Sequence, residues 1–359
     1  MILKTLYDVL SREPTETVSD LAKWEVRGPV RLVASDIVEW DMVKDEWGPL
    51  RHFNSATFHP DGKLDESRQY NADGTIALTK YLYDETGRLI ERQFWLDDAL
   101  SNQTLYVYDN AGRHLRTVEL SRDGTRRDSE ASTYDSSGRK TTVRFLGPVK
   151  PNVAISYAIG GVDHVTNACD AKDLPAEVLF RDDQNALVWR VILVRDEAGR
   201  LLSDEVQFGE RGLFPNVEQH AESTDANRAE MAAVMAKVLG PALAFTKTTY
   251  VYDEKGRLVE RNTRMGSLGE DRTAIRYDGH HNPIEETMER KEREVGVDEH
   301  GELHTTSERS HTQHTRFEYQ YDAEGNWTER VVWGRMEPNP NFQRSNLKRR
   351  GISYYASGR

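Results

Sequence analysis

The chain has 359 residues and a net charge of −12, with 37% hydrophobic and 30% charged residues. That polarity would suit a disordered chain, but 7 Trp, 15 Tyr and 10 Phe supply the aromatic surface that disordered chains lack, so a thin folded core is expected. The acidic balance argues against nucleic acid, which needs clustered Lys and Arg, and no apolar run reaches the ~20 residues of a membrane helix, so no membrane partner is expected.

Residues 1–27 contain "LYDVL" and "VSDLAKWEV", short amphipathic pieces that predict an N-terminal helical segment. Lys4 and Asp8 interrupt its apolar stretch, so no signal peptide is read there and a cytoplasmic location is expected. Residues 28–147 form a first run of predicted strands, beginning at "GPVRLVASDIVEW". Within it "YLYDETGRLIERQF" returns as "YVYDNAGRHLRTVEL" and "STYDSSGRKTTVRF". The turn glycines of "HPDG", "DETG", "DNAG" and "DSSG" fall at 62, 87, 112 and 138, intervals of 25, 25 and 26.

Each copy reads as strand, turn, strand. Asp suits the first position of a type I turn because its carboxylate accepts bonds from the following amides. Gly suits the left-handed position that a side chain disfavours. The result is a three-residue hairpin with a glycine bulge. Asp84, Gly87 and Arg88 form one such set; Asp109, Gly112 and Arg113 the next; Asp135, Gly138 and Arg139 a third, with each Asp facing its Arg. Turns of another style, "NADG", "LDDA" and "SRDG", fall about midway between these. Two strands per repeat, turning alternately at opposite edges, predict an antiparallel meander with every Tyr-Asp turn on one edge.

Residues 148–177, with Gly160-Gly161 and Pro175, read as an irregular junction. A second run of strands spans 178–359, with further sets at Asp196, Gly199 and Arg200, at Asp253, Gly256 and Arg257, and at Asp322 and Gly325. Two insertions interrupt it. At about 223–240, Met231, Val234, Met235 and Val238 follow i, i+3, i+4, i+7 spacing before Gly240-Pro241, which predicts a helix. Its apolar stripe is expected to dock on the sheet, with partner binding through Met231 and Met235 as the alternative. At about 288–315 a polar hairpin is expected to turn at Asp298–Gly301.

The repeated Tyr-Asp turn with Gly-Arg resembles the signature of YD repeats, the RHS-repeat family. The resemblance covers roughly residues 50–145 and 178–333, and the terminal "RRGISYY" is similar to the closing strand of short bacterial members. It implies an all-β fold, a long antiparallel β-meander or curved strip, to which the one inserted helix read above is foreign. In large members it implies a spiral shell around a toxin, or an adhesive surface module. No autoprotease signature or toxin domain is legible here, so an open curved sheet or short spiral is expected.

Chemistry is hard to find in this pattern. His300, His304, His311 and His314 are close in sequence, but His311 and His314 alternate to opposite faces of a strand, so solvated histidines are expected and no metal or cofactor is read. Cys169 excludes an intramolecular disulfide, and with His164 it forms a nucleophile–base pair only if the fold joins them. "MGSLG" lacks the Gly-x-Ser-x-Gly spacing, and there is no phosphate-binding glycine loop. Tyr81, Tyr83, Tyr106, Tyr108, Tyr250, Tyr252, Tyr319 and Tyr321 stand at i, i+2 spacing and read as core packing, or as a sugar-stacking row. The expectation is a non-enzymatic protein-binding scaffold with a basic protein partner, an immunity or accessory component of a toxin or defence system. The alternative is a carbohydrate-binding repeat module.

Overall fold

The computed structural model describes residues 19–138, 140–146, 162–169, 174–209, 245–266, 268–297 and 303–356. Among them the fold is all-β, with a single helical turn, α1 (Asp20–Lys23). Ser19 caps it by accepting a bond from the Ala22 amide, and the chain leaves it through Glu25, at φ +54. "LYDVL" lies outside the described residues; of the expected N-terminal helical segment, the "SDLAKWEV" part supplies this one turn.

The strands run in chain order as β1 (Val30–Asp41), β2 (Glu46–Trp47), β3 (Arg51–Phe58), β4 (Leu64–Tyr70), β5 (Ile76–Tyr83), β6 (Leu89–Leu96) and β7 (Ala99–Tyr108). Next come β8 (His114–Ser121), β9 (Arg126–Tyr134), β10 (Lys140–Phe145), β11 (His164–Cys169), β12 (Pro175–Arg181), β13 (Leu187–Arg195) and β14 (Leu201–Phe208). The last are β15 (Phe245–Tyr252), β16 (Leu258–Met265), β17 (Gly269–Tyr277), β18 (Pro283–Val297), β19 (Leu303–Tyr321), β20 (Trp327–Met336) and β21 (Gln343–Tyr354). Most consecutive strands pair antiparallel, as in β5–β6, β6–β7 and β7–β8, while β2 and β3 both pair with β1.

The chain divides into two compact units. The first comprises Met1–Asp128, Thr315–Arg335 and Pro340–Arg359. Here β1 lies between β3 and β21, so Val33 is the cross-strand partner of both Ala56 and Ile352. This corrects the expected open strip: among the described residues the first and last strands, β1 and β21, are partners, and neither is a free end. The physical reason lies in β1 itself. Its apolar residues Val30, Val33, Ile37 and Val38 are buried, and an unpaired edge carrying them would invite aggregation. Val26, Val30, Val33, Ala56, Phe58 and Leu64 form the core, with Leu21, Trp24 and Tyr81 packed against it. The Trp24 and Phe58 rings meet edge to face at 6.4 Å.

The second unit comprises Ser129–His314 and Met336–Asn339. Its core is built from β11 to β14, where Val165, Phe180, Trp189, Val191 and Val206 are buried. Phe180 and Trp189 are cross-strand partners with stacked rings 3.5 Å apart. Part of the expected irregular junction at 148–177 is therefore regular: β11 pairs with β10 through Val143↔Val165 and with β12 through Val165↔Phe180. The alternation in His164-Val165-Thr166 is too short to stand out beside the neighbouring glycines. The inserted helix, Met231 and Met235, and the turn at Asp298–Gly301 lie outside the described residues. Gln207 and Phe245 are paired across the first insertion, so β14 and β15 remain neighbours.

Candidate functional site

The repeated turn is the first site to build. In the β5–β6 turn the Asp84 amide donates to the Arg88 carbonyl at 2.9 Å, and the Gly87 amide donates to the Asp84 carbonyl at 2.8 Å. The Asp84 carboxylate accepts from the amides of Thr86 and Arg88, both at 2.9 Å, and from Arg88 Nε at 2.7 Å. Gly87 has φ +78, the left-handed region where a side chain is strained. The Thr86 hydroxyl and the Arg88 amide hold the Asp84 carboxyl well below the usual carboxylate range. Asp109 pairs with Arg113, Asp196 with Arg200 and Asp253 with Arg257, each at 2.7 Å. Gly112, Gly138, Gly199, Gly256 and Gly325 all have positive φ. Asp135 accepts from the Ser137 amide at 2.9 Å, while its expected partner Arg139 lies outside the described residues.

Arg88, Arg200 and Arg257 also serve a neighbouring hairpin. Arg88 lies over the Tyr108 ring, 5.1 Å from its centroid, and Tyr108 donates its hydroxyl to the Leu89 carbonyl at 2.8 Å. Arg200 covers Tyr252 and Arg257 covers Tyr277 in the same way, with the tyrosine hydroxyls donating to the carbonyls of Leu201 and Leu258. Burial pushes the Tyr108 and Tyr277 phenols up. Tyr108, Tyr252 and Tyr277, each immediately before a turn Asp, thus join one hairpin to the next, a role that reading each turn by itself misses.

One turn was missed outright. At Tyr277-Asp278 the Asp278 amide donates to the Asn282 carbonyl at 3.0 Å, and His281 takes the glycine position at φ +66. The legible signal was the Tyr-Asp pair without its Gly-Arg. At Asp322, Asn326 replaces the arginine. It is buried, accepts from the Arg27 amide at 2.7 Å and donates to the Tyr354 hydroxyl at 2.8 Å. The carboxylates of Asp84, Asp109, Asp196 and Asp253 are held ionised by amides and guanidinium groups, which suits register and electrostatics better than proton transfer near neutral pH.

Of the four histidines, His300 lies outside the described residues. Among the described residues no group of three or more His, Cys, Asp or Glu side chains forms a metal cluster. His314 instead lies 3.2 Å from Thr287 Oγ1 and 3.3 Å from Glu337 Oε1. Asp204, buried in the second unit, accepts from the Tyr250 hydroxyl at 2.7 Å, and burial pushes its carboxyl up.

A second candidate, which the sequence reading did not single out, lies in the first unit at the β1–β2 corner. Trp40 and Trp47 are cross-strand partners whose rings meet edge to face at 4.9 Å. Across β20–β21, Trp333 is the partner of Arg344. The Arg344 guanidinium lies 5.0, 5.7 and 5.1 Å from the ring centroids of Trp40, Trp47 and Trp333. An open hollow of about 420 Å³ lies here, lined by Trp40, Met42, Asp45, Trp333, Phe342 and Arg344. Beside it Met42 is 72% exposed and Val43 96% exposed. The only legible signal was the density of Trp, Met and Arg in two segments far apart in the chain.

No protein-family model matches the sequence, and no curated protein matches it. Solved structures similar to the chain include a porin-like protein from Bacteroides uniformis ATCC 8492, at 11% identity and a TM-score of 0.32, covering 91% of this chain and 98% of that one. Another is the TcdB2-TccC3-Cdc42 structure, at 12% identity and a TM-score of 0.28, covering 83% of this chain and 16% of that one. Likenesses this loose define neither a family nor an activity.

Proposed function

We propose that the chain is a non-enzymatic protein-binding scaffold assembled from YD repeats, and that its contact surface is the β1–β2 corner. The observation that carries this reading is the exposure of Met42 and Val43 beside the Trp40–Trp47–Trp333–Arg344 cluster. Trp and Arg dominate binding hot spots, and exposed apolar groups rimmed by polar residues mark interaction sites. Asp45 on the rim, with a net charge of −12 overall, favours a basic partner. The setting is a cytoplasmic accessory or immunity component of a toxin or defence system, a step supported by the YD resemblance and the charge.

The carbohydrate alternative has less support. Sugar stacking needs an open ring face, and the faces of Tyr108, Tyr252 and Tyr277 are covered by Arg88, Arg200 and Arg257. A photo-crosslinker placed at Val43 in host cells tests the reading. The expected product is a conjugate with a basic protein whose association slows as salt rises and whose dissociation quickens with Met42→Asp. Conjugation to glycan alone, or a partner indifferent to both salt and Met42→Asp, would overturn it.

A further inference from the structure

β20 and β21 gather three cations around one carboxylate in the first unit. Arg330 and Lys348 are cross-strand partners, and Arg350 stands two residues along the strand from Lys348, on the same face. Glu25 reaches them from the segment after α1: its Oε2 is 3.3 Å from Arg350 and 3.8 Å from Arg330. The Arg350 side chain is only 8% exposed and that of Arg330 18%. Both guanidinium groups pack on the buried Trp327 ring, at 3.3 and 4.9 Å from its centroid. Trp327 Nε1 donates to the same Glu25 oxygen at 3.0 Å.

The charges do not balance. Three positive groups face one negative group, an excess of two in a chain whose net charge is −12. Nε of both Arg330 and Arg350 is buried without an acceptor among the described residues. Lys348 has no carboxylate partner among them; its ammonium lies 4.3 Å from the centroid of Phe53. Burial, then repulsion from Arg330, pushes the Lys348 amine down. Buried charge without a counter-charge is costly, so a fold that concentrates it must gain from something that supplies the missing negative groups.

We propose that Lys348, Arg330 and Arg350 form a binding site for a small divalent oxyanion, phosphate or sulfate. The charge excess matches a divalent ligand, guanidinium forks suit the oxygen geometry, and the ammonium of the partly exposed Lys348 offers the point of entry. Glu25 competes with the ligand for the two arginines and limits the site to anions that outcompete one carboxylate.

Calorimetric titration of the intact chain with sodium phosphate and sodium sulfate, against sodium chloride at matched ionic strength, tests the site. Saturable one-to-one binding to phosphate or sulfate is expected, with chloride giving none. Lys348→Gln should weaken it by about tenfold with the circular dichroism spectrum unchanged. Glu25→Gln should strengthen it, an effect that a purely structural role for these residues would not produce. Should Glu25→Gln fail to fold, Lys348→Gln decides alone. Heat no different from chloride, or binding unchanged in Lys348→Gln, overturns the proposal.

Discussion

At the scale of single residues, glycines with the same backbone angle do different work. Gly112 and Gly124 have φ of +80 and +81. A Cβ at Gly124 would meet nothing within 4 Å, whereas one at Gly112 would lie 2.9 Å from an Arg88 guanidinium nitrogen. Gly124→Ala should therefore cost about 1 kcal/mol from the backbone alone. Gly112→Ala should cost roughly 0.5–1 kcal/mol more, because the displaced Arg88 loses its seat over Tyr108. Denaturant midpoints of the two variants check this; equal midpoints would mean that the Arg88–Tyr108 contact contributes nothing measurable.

At the scale of elements, the hairpins hold themselves in register and the tyrosines hold them to one another. The Asp84–Arg88 exchange closes one turn, and the Tyr108 hydroxyl, bonded to the Leu89 carbonyl, helps tie that turn to the next. Tyr108→Phe keeps the ring under Arg88 and removes that bond alone. A loss of about 1 kcal/mol is expected. In hydrogen exchange the faster amides should concentrate around the two turns near Leu89 and Tyr108, leaving the β11–β14 core protected. Uniform loss of protection would show that the bond acts through global stability and not as a local clip.

At the scale of the whole molecule, the turn carboxylates set the response to acid. Asp84, Asp109, Asp123 and Asp253 are held below their ordinary value of 3.8 by turn amides and hydroxyls; at Asp196 the bonds from Arg200 outweigh an opposing effect of burial. A depressed folded-state pKa stabilises above the unfolded value, and that stability is lost as pH falls through the folded one. Asp204 works in the opposite sense: raised by burial, it is least unfavourable when protonated, so it gains as pH falls. The turn groups outnumber it, and acid unfolding is expected below pH 3.8, not near neutrality. Asp84→Asn should be less stable than the parent at pH 6, with the difference vanishing as pH falls below 3.8. A difference that persists undiminished in acid would place the role of Asp84 in its shape and not in its charge.

What the sequence by itself determined is local. The turn of Asp84, Gly87 and Arg88 depends on φ preferences and on bonds spanning four residues, and strand alternation follows from side-chain period, so both are legible without a fold. The Tyr277-Asp278 turn escaped because His281 carries the positive φ that a glycine would have announced. The tertiary structure alone decided the long-range partners. The pairing of β1 with β21 joins residues some three hundred positions apart, and the meeting of Glu25 with Arg330 and Arg350, or of Trp40 with Trp333 around Arg344, follows from that pairing. No local preference encodes such contacts: they arise because an apolar strand such as β1 is stable only when both of its edges and its buried side chains find partners, and which partners those are is settled by the whole chain.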